Sequence, residues 1–217
     1  MRSMAWCVGV VGLGGCLGGG ASVKGEIDGD VPDLRGGYFV QDDELYEGGD
    51  GLIIVALSNV DTPCETDELV SEELEDADDP GDAEDIWETY MPEDFWVLEL
   101  RMRVGDPDDD LSKKTLEGVS WDEDLTEDDE TYGTFIHYTD FLDQEYFSGQ
   151  ANDLTDYRDA WFSDGGDLDI SKHKPGETLS GIFVTEAAQT DDGDNDGDVE
   201  VRFSVERCKA MERYYFE

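Results

Sequence analysis

Positive charge is what this chain has least of: 14 lysines and arginines stand against 58 aspartates and glutamates, a formal net charge of −44. Such a surface repels phosphate backbones and anionic lipid headgroups, which disfavours nucleic acid and direct headgroup contact as partners. Histidine is nearly missing too. His137 and His173 are isolated, without metal-ligand spacing, so both read as structural or surface residues rather than catalysts. The chain has no G-x-S-x-G, no H-E-x-x-H and no phosphate-binding glycine loop. With so many carboxylates any acidic pair arises by chance, and no pair is marked for glycoside hydrolysis. Long apolar runs are also lacking, and the run from Ala5 to Leu13 is about half of the ~20 residues a spanning helix needs.

What is present argues for a folded core under an acidic shell. Hydrophobic residues make up 38% of the chain and aromatics 11%, more than a solvated coil carries. Two environments rationalise the shell. In a saline medium counterions screen the repulsion and carboxylates keep the surface hydrated; alternatively, the carboxylates collect divalent cations. The saline account needs no specific site.

The amino-terminal residues carry a location signal. Arg2 gives a basic start, an uncharged apolar stretch follows, and small residues precede a cysteine in Leu13-Gly14-Gly15-Cys16. This stretch resembles the lipobox of bacterial lipoproteins. The resemblance implies that residues 1–15 are removed as a signal peptide and that Cys16 becomes the lipid-bearing first residue. Residues 16–22 then form a Gly-rich lipidated tether, with residues 23–217 as a single acidic β domain. The implied location is the cell envelope outside the cytoplasm, lipid-anchored to the outer membrane or cell surface. The rival reading is a plain secretory signal cut elsewhere.

Cysteine counting follows from that leader. Cys7 departs with the signal and Cys16 carries lipid, which leaves Cys64 and Cys208 in an oxidising compartment. One disulfide is the simplest use of the pair, and two separate thiols are the alternative.

Strand signals dominate the rest. Val23 to Asp28 reads as a short first strand, and Leu52 to Leu57 as a strand buried on both faces. From Asp94 to Val104, Trp96, Leu98, Leu100, Met102 and Val104 alternate with Val97, Glu99, Arg101 and Arg103. Tyr132 to Thr139, Asp167 to Lys172, Thr178 to Ala187 and Asp198 to Cys208 complete the set. Glu65 to Asp94 has fifteen acids in thirty residues and no base, so it reads mostly as a solvated loop with one short helix before Pro80. Leu111 to Thr131 reads as irregular. Leu154, Tyr157 and Trp161 recur at helical spacing, predicting a two-turn helix that Gly165-Gly166 ends.

The pattern predicts an all-β fold, mainly an antiparallel sandwich or barrel, with one or two short helices and long acidic loops. Gly166 to Ile170, Leu179 to Val184 and Val199 to Cys208 resemble the closing strands of uncharacterised acidic lipoproteins from myxobacteria and their relatives. That resemblance brings no catalytic residue with it.

One segment carries a chemical signal. Asp192, Asp194 and Asp196 occupy positions one, three and five of a D-x-D-x-D-G calcium loop, with Gly197 at the turn, Asp198 at seven and Glu200 at nine. Position twelve is Phe203 and the flanks read as strands, so this is no EF-hand, and any calcium site is weak. A polar hairpin tip accounts for the same letters. Trp87, Trp121, Tyr146, Phe147 and Trp161 could line a carbohydrate or peptide groove, with core packing as the default. The expected function is a lipid-anchored envelope protein with a non-catalytic binding, adhesion or scaffolding role. A secreted calcium-binding β domain comes second and a carboxylate-based hydrolase third.

Overall fold

The computed structural model describes residues 19–42, 50–75, 77, 80–120, 125, 129–138, 160–188 and 195–216. Among these residues the strands are β1 (Gly19–Gly25), β2 (Gly36–Asp42), β3 (Gly51–Ser58), β4 (Phe95–Val104), β5 (Thr115–Gly118), β6 (Glu130–Tyr138), β7 (Ala160–Lys174), β8 (Thr178–Ala188) and β9 (Asn195–Arg207). The helices are α1 (Pro63–Glu75), α2 (Pro80–Tyr90) and α3 (Glu212–Phe216). The strands close into a barrel in the order β1-β2-β3-β4-β6-β5-β7-β8-β9, shut by the β1–β9 ladder from Gly20↔Ser204 to Gly25↔Val199. The fold is all-β, and of the two expected architectures it is the barrel.

Alternation along the strands decides what faces inward. On β4 the five alternating apolar residues from Trp96 to Val104 are buried, and on β9 Val199, Val201, Phe203 and Val205 do the same. These side chains fill the barrel together with Phe39, Ile53, Val55, Leu57, Phe135, Leu168, Ile170, Leu179 and Phe183. The outer positions of β9, Arg202, Ser204 and Glu206, meet water. An apolar interior with a polar outer wall is the reverse of a membrane-spanning barrel.

β3 is buried on both faces, as its unbroken apolar run predicts. Ile53, Val55 and Leu57 point into the barrel, while Leu52, Ile54 and Ala56 lie under an outer layer with Leu125, Cys208 and Met211. The antiparallel ladders run β1, β3, β5, β6 and β8 one way and β2, β4, β7 and β9 the other. Each barrel rim therefore collects definite residues. Ser58, Phe95, Tyr138 and Ala160 share the rim where β1 ends, whereas Lys174, Thr178 and Arg207 share the rim where β1 begins.

Four readings change. Gly19 to Ser22, expected as tether, belong to β1, whose backbone pairs with β9 and with Gly36-Gly37 of β2. The glycines there lack side chains but keep their ladder groups, and a composition reading sees only the former. Glu65 to Asp94 holds two helices instead of mainly a loop, bringing the helices to three. Pro63 and Pro80 sit at their first positions, where the missing N–H costs nothing. The Thr62 carbonyl accepts the Thr66 amide at 3.0 Å to start α1, and Glu is a good helix former.

Leu111 to Thr131 contains β5, which sets Leu116 in the core. Finally, Trp161 lies in β7 and points into the barrel; Leu154 and Tyr157 fall outside the described residues. Gly165 and Gly166, at φ 73° and 98°, form a bulge in mid-strand between Asp164 and Asp167. A Cβ on Gly166 would sit 2.1 Å from the Val184 carbonyl oxygen, so the bulge requires glycine.

Candidate functional site

Two polar clusters stand out against this packed barrel. The first lies at the rim where β3 and β6 end. There the Asn59 side chain donates to the Asp94 carbonyl at 2.5 Å and accepts the Trp96 amide at 3.2 Å, fastening the start of β4. Asp94 Oδ1 lies 2.5 Å from His137 Nε2. The imidazole stacks on Trp96 at 3.9 Å between ring centroids, and Trp96 stacks on Trp161 at 5.8 Å. An aspartate that orients an imidazole is the supporting half of a general-base arrangement. Asp94 is the only hydrogen-bond partner of His137 among the described residues, and the ring is buried, whereas Asp94 is exposed. Among the described residues the buried indole Nε1 of Trp161 has no partner, an arrangement that costs about 1–3 kcal/mol.

The second cluster lies on the outer wall, where α1 and α3 cover β2. Tyr38 of β2 donates its hydroxyl to Asp67 Oδ2 of α1 at 2.7 Å, and the hydroxyl of Tyr215 on α3 stands 3.4 Å from that of Tyr38. Burial pushes the Asp67 carboxyl up to about 6 even though the Tyr38 hydrogen bond pulls it down. Tyr38 and Tyr215 are both raised well above the usual phenol value, chiefly by burial. Two strands away, on β4, Arg101 pairs with Glu99 at 2.5 Å. The disulfide Cys64–Cys208 pins the layer, with its Cα atoms 5.8 Å apart, so the pairing expected from the count of cysteines is present.

At the opposite rim, His173 closes the barrel beneath residues 105–114. Its Nδ1 lies 2.9 Å from the Asp109 carbonyl and 3.3 Å from the Leu111 amide, and among the described residues its buried Nε2 has no partner. Ser112 Oγ accepts the His173 amide at 2.8 Å and packs the loop down on the core through Leu111. Burial holds the His173 pKa below its ordinary value.

Of the other residues singled out from the sequence, Cys16, Asp192, Asp194, Trp121, Tyr146 and Phe147 lie outside the described residues. Asp196, Asp198 and Glu200 all fall in β9, at alternate positions. Gly197, expected to make a sharp turn, is paired with Ala187 in the β8–β9 ladder. Asp198 and Glu200 stand about 7 Å apart along the strand, and the Asp196 side chain lies outside the described ones. Glu200 is held by Arg202 at 2.7 Å and approached by Lys24 at 3.8 Å; the Arg202 hydrogen bond keeps its carboxyl below the usual range. Among the described residues no group of three or more His, Cys, Asp or Glu side chains could hold a metal ion. Trp87 packs edge-on against Phe95 at 5.5 Å, anchoring α2, and Trp161 is core, so neither opens a groove.

The Tyr38–Asp67–Tyr215 cluster escapes sequence reading because its members come from three distant elements, each with an unremarkable local pattern. The aromatic run Tyr214-Tyr215-Phe216 was the available hint, since three consecutive rings need something to cover. No protein-family model, curated protein or solved structure matches the chain. Among the described residues no helix is long and apolar enough to cross a membrane. What the geometry defines is an acidic, disulfide-bonded, closed β-barrel with a packed interior and a helical layer on one wall.

Proposed function

We propose that this chain is a lipid-anchored cell-envelope protein whose acidic barrel has a non-catalytic binding, adhesion or scaffolding role outside the cytoplasm. The Cys64–Cys208 disulfide is the observation that carries the reading, because such bonds persist in oxidising compartments. A barrel interior filled by side chains puts contact with any envelope protein or carbohydrate partner on the outer surface. Only Leu17 and Gly18 separate Cys16 from β1, so a lipid on that thiol would hold the barrel close to the bilayer. The secreted calcium-binding alternative has less support, because Glu200 is engaged by Arg202 and Lys24.

Mass spectrometry of the protein from the membrane fraction tests the reading. The expected amino-terminal peptide starts at an acylated Cys16, and Cys16→Ser moves the protein to the soluble fraction. An unmodified amino terminus, or a Cys16→Ser protein still bound to membrane, would overturn it.

A further inference from the structure

We propose that residues 208–216 form a proton-operated strap, docked on the barrel wall when Asp67 is protonated and loosened when it ionises. The strap begins at a fixed point, since Cys208 is bonded to Cys64 of α1. Beyond that point Met211, Tyr214, Tyr215 and Phe216 pack over Tyr38, Val40, Ile54 and Ala56 of the wall. Few polar contacts reinforce this layer. Arg207 at the end of β9 pairs with Glu212 at 2.6 Å, and Arg213 reaches Glu72 of α1 at 3.2 Å, near the surface.

The groups around the Asp67 carboxyl leave its charge unmatched. From β2 comes the Tyr38 hydroxyl, and from α3 the Tyr215 hydroxyl. From β4, Glu99 and Arg101, already paired with each other, bear on Tyr215, and from β6 Tyr132 bears on Arg101. Neutral Asp67 sits among phenols at no electrostatic cost. Ionised Asp67 adds a second carboxylate to a seam in which Arg101 is already committed to Glu99, and its half-buried oxygens gain full hydration where the helical layer parts from the wall. The disulfide limits that parting to the residues after Cys208, so the strap is the part free to lift. Lifting bares the apolar wall of β2 and β3. This inference is independent of the anchoring at Cys16.

Docking raises the Asp67 pKa from the free value near 3.8 to about 6, so docking is favoured as pH falls through 6 and weakest above it. Hydrogen exchange of the whole protein, corrected for intrinsic rates, reads the opening. Amides of residues 210–216 are expected to exchange about tenfold faster at pH 7.5 than at pH 5, the ratio those two values give by linkage. Asp67→Asn should remove the dependence. Tyr38→Phe, which removes the bond stabilising the ionised form, should steepen it, and serves if Asp67→Asn fails to fold. Equal protection at both pH values, or a dependence that survives Asp67→Asn, would overturn the proposal.

Discussion

Gly133 of β6 and Phe183 of β8 meet inside the barrel so closely that a methyl group on the glycine would lie 2.9 Å from Phe183 Cε1. Leu100 Cδ2 blocks the same space at 3.0 Å. With both neighbours fully buried, neither can swing aside into solvent. Gly133→Ala should therefore cost about 1–3 kcal/mol, the usual penalty for overpacking. Adding Phe183→Leu, which clears the ring edge, should restore part of the loss. Urea unfolding of the two single variants and the double variant measures the coupling, and purely additive losses would mean that the barrel interior is looser than this packing implies.

The bond between Cys64 and Cys208 spans 144 residues of sequence and joins the first turn of α1 to the end of β9. Loop-closure entropy of the unfolded chain assigns such a bridge about 5 kcal/mol. Reducing it, or replacing both cysteines by serine, should lower the urea midpoint by a matching amount while the barrel's far-ultraviolet circular dichroism persists under native conditions. A shift below about 1 kcal/mol would mean that the helical layer already holds these ends together in the unfolded ensemble.

His173 and Asp67 respond to pH in opposite directions. Folding lowers the proton affinity of His173, so its contribution to stability is complete above the free value near 6.5 and is lost as pH falls below it. Asp67 is raised to about 6, so its ionisation costs stability as pH rises through that value. In wild-type protein the two trends partly cancel between pH 5 and 7. In an Asp67→Asn background the His173 trend should stand alone, with the unfolding midpoint falling as pH drops from 7 to 5. Adding His173→Asn, which keeps a donor toward the Asp109 carbonyl, should flatten that fall. Midpoints at four pH values for the three proteins check both signs.

Where one face of an element is dry and the other wet along its whole length, the chain declares it. β4 and β9 were legible residue by residue for that reason, and β3 because its run of apolar residues is unbroken. A thin apolar stripe left α1 legible only as a short helix and hid α2: Val70 is the one buried side chain of α1 beyond Pro63, and acids occupy most of the rest. Trp161 shows the converse error, since its helical spacing with Leu154 and Tyr157 outweighed a short strand signal that the Gly165-Gly166 bulge had interrupted. Among candidate sites, the cysteine pair was legible because the expected leader set Cys7 and Cys16 aside and left Cys64 and Cys208 to combine. The Tyr38–Asp67–Tyr215 seam was not, because it arises from a helix laid on a barrel wall, and no local spacing encodes that.

Salt should be the strongest solvent lever on this protein. At a net charge of −44 the folded surface repels itself, and cations are too few to neutralise it from within. Raising ionic strength from 0.1 to 1 M shortens the screening length from about 10 to about 3 Å, below the spacing of many carboxylates on a barrel surface. The compact state gains more from this than the expanded chain does, so the melting temperature should climb by several degrees, at roughly 2–4 °C per kcal/mol for a chain of this size. Calcium chloride at matched ionic strength should add little, since Glu200 is engaged by Arg202 and Lys24 and no group of three or more His, Cys, Asp or Glu among the described residues could hold a metal ion. Melts in sodium chloride and in millimolar calcium chloride separate the two accounts. Indifference to sodium with a steep rise in calcium would mean that the carboxylates act as cation ligands, and the screening account would fall.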